Sequence, residues 1–228
     1  MYRVAIASAV VLASATGAHA DPESFNPDPI DLSVLDRAVA PTGRALEIAL
    51  GGGYTQGVGG AGAASPLEDT TGPGGNVEVQ VGMRITPRLA VGVYGTLARY
   101  RHGELLADGN QAYGATGGVQ AAWHVRPSRS VDPWLSLGAG WRGLWLRQHG
   151  QPQVTAYGVE LARLQVGVDY RISPALAVAP VVGASASVFV AQDTAKTDSF
   201  TAVRDDRLNL YVFGGLLGRF DIGRFAHH

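Results

Sequence analysis

Apolar and polar residues alternate with a period of two through residues 76–97. Val77, Val79, Val81 and Met83 fall on one parity and Asn76, Glu78, Gln80, Gly82 and Arg84 on the other. After Thr86-Pro87-Arg88 the alternation resumes, with Leu89, Val91 and Val93 set against Gly92, Tyr94 and Thr96. Two such runs around a short Pro-containing turn predict a β-hairpin with one apolar and one polar face. A hairpin of this kind suits a soluble sandwich with the apolar face inward, or a membrane barrel with that face outward.

The same period recurs along the chain. Strand one is expected over residues 44–54, with Leu46, Ile48, Leu50 and Tyr54 on its apolar side; strands two and three form the hairpin just described. Strand four sets Tyr113, Ala115, Val119, Ala121 and Trp123 against Gly114, Thr116, Gly118 and Gln120, and strand five sets Leu135, Leu137, Ala139, Trp141 and Trp145 against Ser136, Gly138, Gly140 and Arg142. In strand six, Leu164, Val166, Val168 and Tyr170 oppose Arg163, Gln165, Gly167, Asp169 and Arg171. Tyr157, Val159 and Leu161 run out of phase with them, so a β-bulge is expected near Ala162. Strand seven spans Leu176 to Val188, with Pro180 removing one ladder donor. Strand eight alternates Leu208, Leu210, Val212, Leu216, Phe220 and Ile222 with Asn209, Tyr211, Phe213, Arg219 and Asp221.

Eight strands result, joined by three short Pro-bearing turns and four longer loops (55–74, 101–111, 148–156 and 192–206). Long loops on one side and short turns on the other are expected of an outer-membrane barrel. One parity is nearly all aliphatic and carries Tyr54, Tyr113, Trp123, Trp145, Tyr170 and Phe220 near strand ends, the pattern of a lipid-facing band with aromatic girdles. The expected fold is all-β, an eight-stranded antiparallel up-and-down transmembrane β-barrel over residues 44–222.

Composition narrows the setting. Arg3, an apolar run from Val4 to Ala15 and Ala18-His19-Ala20 form a signal peptide over residues 1–20, cut after Ala20. The run is too short for a transmembrane helix, which needs about 20 apolar residues. Cys is absent, which excludes disulfides, thiolate metal sites and a lipoprotein anchor. The net charge is −1, with 17 Arg and one Lys, and gives no basic excess for a nucleic-acid partner. Residues 21–43, with four Pro and five acidic residues, are read as an irregular periplasmic segment, and 223–228 as a C-terminal tail. Gly57-x-Gly59-x-x-Gly62 has the spelling of a dinucleotide fingerprint, but Ser65-Pro66 stands where the motif needs a helix.

Arg84-Ile-Thr-Pro-Arg-Leu-Ala-Val repeats as Arg171-Ile-Ser-Pro-Ala-Leu-Ala-Val, marking equivalent hairpin ends. On this repeat, the strand count and the apolar last strand with Phe220, the chain resembles the small outer-membrane β-barrels of Gram-negative bacteria, the OmpA-like and OmpX-like group. The resemblance implies a place in the Gram-negative outer membrane. It implies as partners outer-membrane lipid, lipopolysaccharide, the barrel-assembly machinery and surface molecules met by the external loops. It implies no cofactor. A peptidoglycan-binding domain is not expected here, and the tail past Phe220 leaves Phe220 or Phe225 as the terminal aromatic used in assembly.

An eight-stranded barrel is just wide enough for side chains to fill. Its lumenal charges are therefore the candidate site: Glu47, Glu78, Arg142, Arg163 and Arg219. Glu47 and Arg219 are expected to pair across the closing seam, and Glu78 to meet Arg142 and Arg163 across the lumen, since an isolated buried charge costs several kcal/mol. Three functions follow. A structural or surface-interaction barrel with a filled lumen is the leading one. A narrow channel controlled by Glu78 and its Arg partners is the alternative. A lipid A-modifying enzyme would need a constellation that His102, Glu104 and His149 do not complete, for want of a neighbouring Ser; no catalytic or metal residues are assigned. His124, beside a short turn, is read as a plain surface histidine, and Arg99 and Arg101 as snorkelling toward lipid phosphate.

Overall fold

The structure is a computed structural model that describes residues 45–59, 71–102, 111–147, 154–194, 201–202 and 208–222. The signal peptide, the segment 21–43, the tail, Glu104 and His149 lie outside the described residues. The strands are β1 (Leu46–Gly59), β2 (Thr71–Arg84), β3 (Leu89–His102), β4 (Gln111–His124), β5 (Val131–Arg147), β6 (Val154–Ser173), β7 (Leu176–Thr194), the two-residue β8 (Thr201–Ala202) and β9 (Asn209–Ile222). All pairings are antiparallel between neighbours. β9 pairs with both β1 and β7, and β6 with β7, so eight long strands close on themselves while β8 only extends β7 at Ala191 and Gln192.

Closure turns the binary pattern inside out. Leu50, Val79, Val93, Leu97, Val119, Leu137, Trp141, Val182 and Leu216 are exposed on the outside, while Glu78, Arg84, His124, Asp132, Glu160, Arg163 and Asp169 are buried within. Such a surface is stable against hydrocarbon rather than water, and a closed ladder leaves no backbone group for lipid to satisfy. No described helix is long and apolar enough to cross a membrane.

The slip in strand six is a bulge. Gly140 opposes Glu160 and Gly138 opposes Arg163, so Leu161 and Ala162 together face the single Ala139, and both point outward. The bulge keeps Glu160 and Arg163, three residues apart, on the same inner face. The repeated turns also have a local cause. The Thr86 hydroxyl accepts from the Arg88 and Leu89 N–H groups at 3.3 and 3.0 Å, and the Ser173 hydroxyl from the Ala175 N–H at 3.3 Å, so each Thr/Ser-Pro pair closes its own bend.

The ladders run further than the alternation predicts. β1 continues to Gly59 and β2 begins at Thr71, inside the loop expected over 55–74; β6 starts at Val154 and β7 ends at Thr194. Backbone pairing needs only a partner strand, whereas strict alternation is imposed only where one side meets lipid, so periodicity understates strand length at the long-loop end. Gly57 and Gly59 lie in β1 opposite Tyr211 and Asn209, which removes any phosphate-binding turn there. Pro180 sits in register opposite Leu216 without interrupting β7.

Candidate functional site

The inner faces of all eight long strands converge on two layers of buried charge. Nearer the long-loop end, Arg163 (β6) binds Glu78 (β2) at 2.9 Å, and Arg142 (β5) binds Glu160 (β6) at 2.8 Å. Gln80 donates to Glu78 at 2.7 Å and to Gln165 at 3.0 Å, and the Tyr94 hydroxyl donates to Glu160. Arg142 also donates to Ser187 at 3.1 Å and Ser185 at 2.9 Å. The guanidinium faces are covered as well. Arg142 lies 3.7 Å from the Tyr211 ring centroid, and Arg163 lies 4.1 Å from Phe213 and 4.9 Å from Tyr94. Beyond this layer Tyr100, Ala112, Leu144, Phe189 and Tyr211 pack together inside the lumen.

The second layer sits at the short-turn end. Arg84 binds Glu47, and its Nη1 donates to the Pro87 carbonyl at 3.0 Å. Arg219 binds Asp169 at 2.8 Å, and the Trp134 indole N–H donates to the other oxygen of Asp169 at 2.8 Å. Arg171 binds Asp221 at 3.0 Å. His124 joins these pairs and is fully buried. Its Nδ1 lies 2.8 Å from Asp132, while its Nε2 lies 3.4 Å from Arg84 Nη2 and 3.2 Å from Arg219 Nη1. A guanidinium nitrogen can only donate, so Nε2 is the acceptor and Nδ1 carries the proton given to Asp132. His124, Asp132 and Asp169 converge closely enough to ligate a cation. Arg219, bound to Asp169 and His124, already supplies positive charge there.

The pairings differ from those expected. Glu47 does not meet Arg219: the β1–β9 register puts Asp221 opposite Glu47 and Ala49 opposite Arg219. Two carboxylates therefore face each other at the seam, and Arg84 from β2 and Arg171 from β6 bind one each. Glu78 meets Arg163, but Arg142 takes Glu160 instead, because the bulge turns Glu160 inward beside it. His124 is not a surface residue; its parity on β4 is the inner one, continuous with Ala122 and Gln120. Sequence reasoning also left Arg84, Asp132, Trp134 and Asp169 out of the network, although each lies on an inward position of its strand.

The girdle residues divide between the two rims. Tyr54, Tyr113 and Trp145 lie toward the long-loop end, with Tyr113 and Trp145 directly opposed and Arg99 6.0 Å from the Tyr113 centroid. Trp123, Tyr170 and Phe220 lie toward the short turns and are exposed. Between the charge layers a cavity of about 20 Å³ touches Glu47, Gln80, Gln120 and Arg219, room for about one water.

The sequence matches no family model and no curated protein. Solved structures are similar in fold. Neisserial surface protein A aligns with a TM-score of 0.52 at 14% identity, over 78% of this chain and 97% of that one. The N-terminal β-barrel domain of Pseudomonas aeruginosa OprF aligns at 0.45 and 11% identity, over 78% and 98%. Ail, the attachment invasion locus protein of Yersinia pestis, aligns at 0.40 and 17% identity, over 78% and 99%. The first of these likenesses, together with eight strands, closure and the inside-out distribution of charge, establishes that the chain has the fold of the small eight-stranded outer-membrane β-barrels.

Proposed function

We propose that the chain is an exported outer-membrane barrel of a Gram-negative bacterium. Its lumen is a structural core, and its contacts with lipopolysaccharide or surface partners are made by the long-loop end. The observation that carries this reading is the interior itself. The Glu78–Arg163 pair joins opposite walls, β2 to β6, and at the second level Arg219 of β9 binds Asp169 of β6 and reaches across to His124 on the facing β4. Each guanidinium is also capped by an aromatic face. An ion entering such a path would have to break charge pairs in a medium that screens them poorly, which is the opposite of a hydrated selectivity ring.

The rival reading, a narrow channel gated by Glu78, makes the opposite electrical prediction. Refolded protein, checked for folding by its heat-sensitive gel mobility, is expected to remain silent in a planar bilayer, as is Glu78→Ala. Discrete openings in the wild type whose size changes in Glu78→Ala would refute the structural reading. No enzymatic role is proposed, since no nucleophile is placed beside an imidazole base among the described residues.

A further inference from the structure

We propose that the short-turn rim carries a binding site for the phosphate of an anionic phospholipid in the periplasmic leaflet. A cleft of about 470 Å³ opens between the first and second short turns, lined by Arg88, Val125, Arg126, Pro127, Ser128 and Arg129. The described short turns, 85–88, 125–130 and 174–175, hold these three arginines and no carboxylate. The nearest acids are directed inward: Glu47 is bound to Arg84, Asp132 to His124, and Asp169 to Arg219. Among the described residues neither Arg88 nor Arg126, both exposed, forms a salt bridge. Arg88 and Arg126 therefore present positive charge that no described residue neutralises.

The cleft is held in shape before any ligand arrives. The Val125 N–H donates to the Pro133 carbonyl at 2.9 Å, the Arg129 N–H to Arg126 at 3.0 Å and the Arg171 N–H to Ser130 at 2.8 Å. The Arg126 N–H donates to the Asp132 carboxylate at 2.7 Å, and the Arg88 carbonyl accepts from the His124 N–H at 2.8 Å, which ties the two turns together. Little loop ordering is left for binding to supply. Planar guanidiniums suit phosphate oxygens through paired hydrogen bonds.

Position selects the source of the phosphate. Ile85, Trp123 and Val125 are about half exposed and lie beside the cleft, continuing the apolar belt up to it. A phospholipid can thus lay its acyl chains along this belt while its phosphate enters the cleft, an arrangement that free phosphate cannot exploit. Short turns face the periplasm in barrels of this kind, so the lipid is one of the inner leaflet.

The test is native mass spectrometry of the full chain, refolded and extracted from vesicles of phosphatidylcholine with or without phosphatidylglycerol. The wild type is expected to retain one phosphatidylglycerol, and Arg88→Gln/Arg126→Gln to retain it roughly twenty-five-fold more weakly, at about five-fold per basic residue. Arg99→Gln/Arg101→Gln, at the opposite rim, controls for general charge. Unchanged retention in the Arg88/Arg126 variant, or equal loss in the Arg99/Arg101 variant, would overturn the assignment. So would displacement of the lipid by millimolar inorganic phosphate, which would mark a bare anion site. Arg88→Lys/Arg126→Lys keeps the charge without the fork and is expected to fall between the two, guarding against a folding artefact.

Discussion

Replacing Glu160 by Gln removes one charge from the Arg142–Glu160 pair while keeping the shape of the side chain. The pair is 2.8 Å apart and both partners are buried, Glu160 completely. At an effective dielectric constant of 20 the attraction is about 6 kcal/mol, against a desolvation penalty of several kcal/mol per ion. The intact pair is therefore worth little net, but breaking it strands Arg142, whose remaining partners are the Ser185 and Ser187 hydroxyls and the Tyr211 ring. Breaking a buried pair costs about 3–5 kcal/mol. The Tyr211 and serine contacts put Glu160→Gln near the lower end of that range. Arg142→Met/Glu160→Gln removes both charges and is expected to recover about 2 kcal/mol relative to Glu160→Gln alone. Reversible urea unfolding in detergent micelles, followed by tryptophan fluorescence, measures both variants. A loss below about 1 kcal/mol for Glu160→Gln, or additive costs in the double variant, would refute the reasoning.

Other expectations use the same unfolding assay or folding yield. Trp134→Phe keeps the ring against Arg219 but deletes the donor to Asp169, and is expected to cost about 1–3 kcal/mol. His124→Leu leaves Asp132 and two guanidinium donors without their shared partner and should cost at least as much, whereas a surface histidine would tolerate the change within about 0.5 kcal/mol. Gly53→Val would drive a Cβ into the Gly214 carbonyl at the closing seam; the yield of heat-modifiable folded barrel should fall sharply, while Gly95→Ala, whose Cβ meets only the Thr116 carbonyl at an ordinary 3.9 Å, should fold normally.

The architecture was legible because lipid imposes a strict rule on one face. Val77, Val79 and Val81 alternate with lumenal residues since each must meet hydrocarbon, and even the out-of-phase Tyr157, Val159 and Leu161 announced their bulge through that rule. The lumen obeys no such periodicity. Parity marked Glu47 and Arg219 as inward, but their partners depend on the β1–β9 register, which joins residues about 170 positions apart and leaves no local trace. His124 stands beside a short turn and reads as a surface residue; only the backbone path of 125–130 shows that it turns inward, to meet Asp132 from the far side of the turn at 2.8 Å. Glu160 escaped notice because it lies upstream of the bulge, where the phase of β6 had to be known before its direction could be read.

The lumenal charges also account for the uniqueness of the fold. An apolar interior would be no less stable than paired ions, yet it would look like the exterior, and a strand could then turn either face to lipid. Charge removes that ambiguity. A one-residue slip of β6 would carry Glu160, Arg163 and Asp169 to the outer surface and strip Arg142, Glu78 and Arg219 of their partners. An arginine near the bilayer midplane costs about 2–4 kcal/mol, with an acidic residue somewhat less, so one slipped strand forfeits a large part of a domain's typical stability of about 5–15 kcal/mol. The bulge at Leu161–Ala162 serves the same end, since without it Glu160 and Arg163 would face opposite sides and one of them would lie in lipid. On this argument the ion pairs hold the register of the barrel, and their contribution to net stability is secondary.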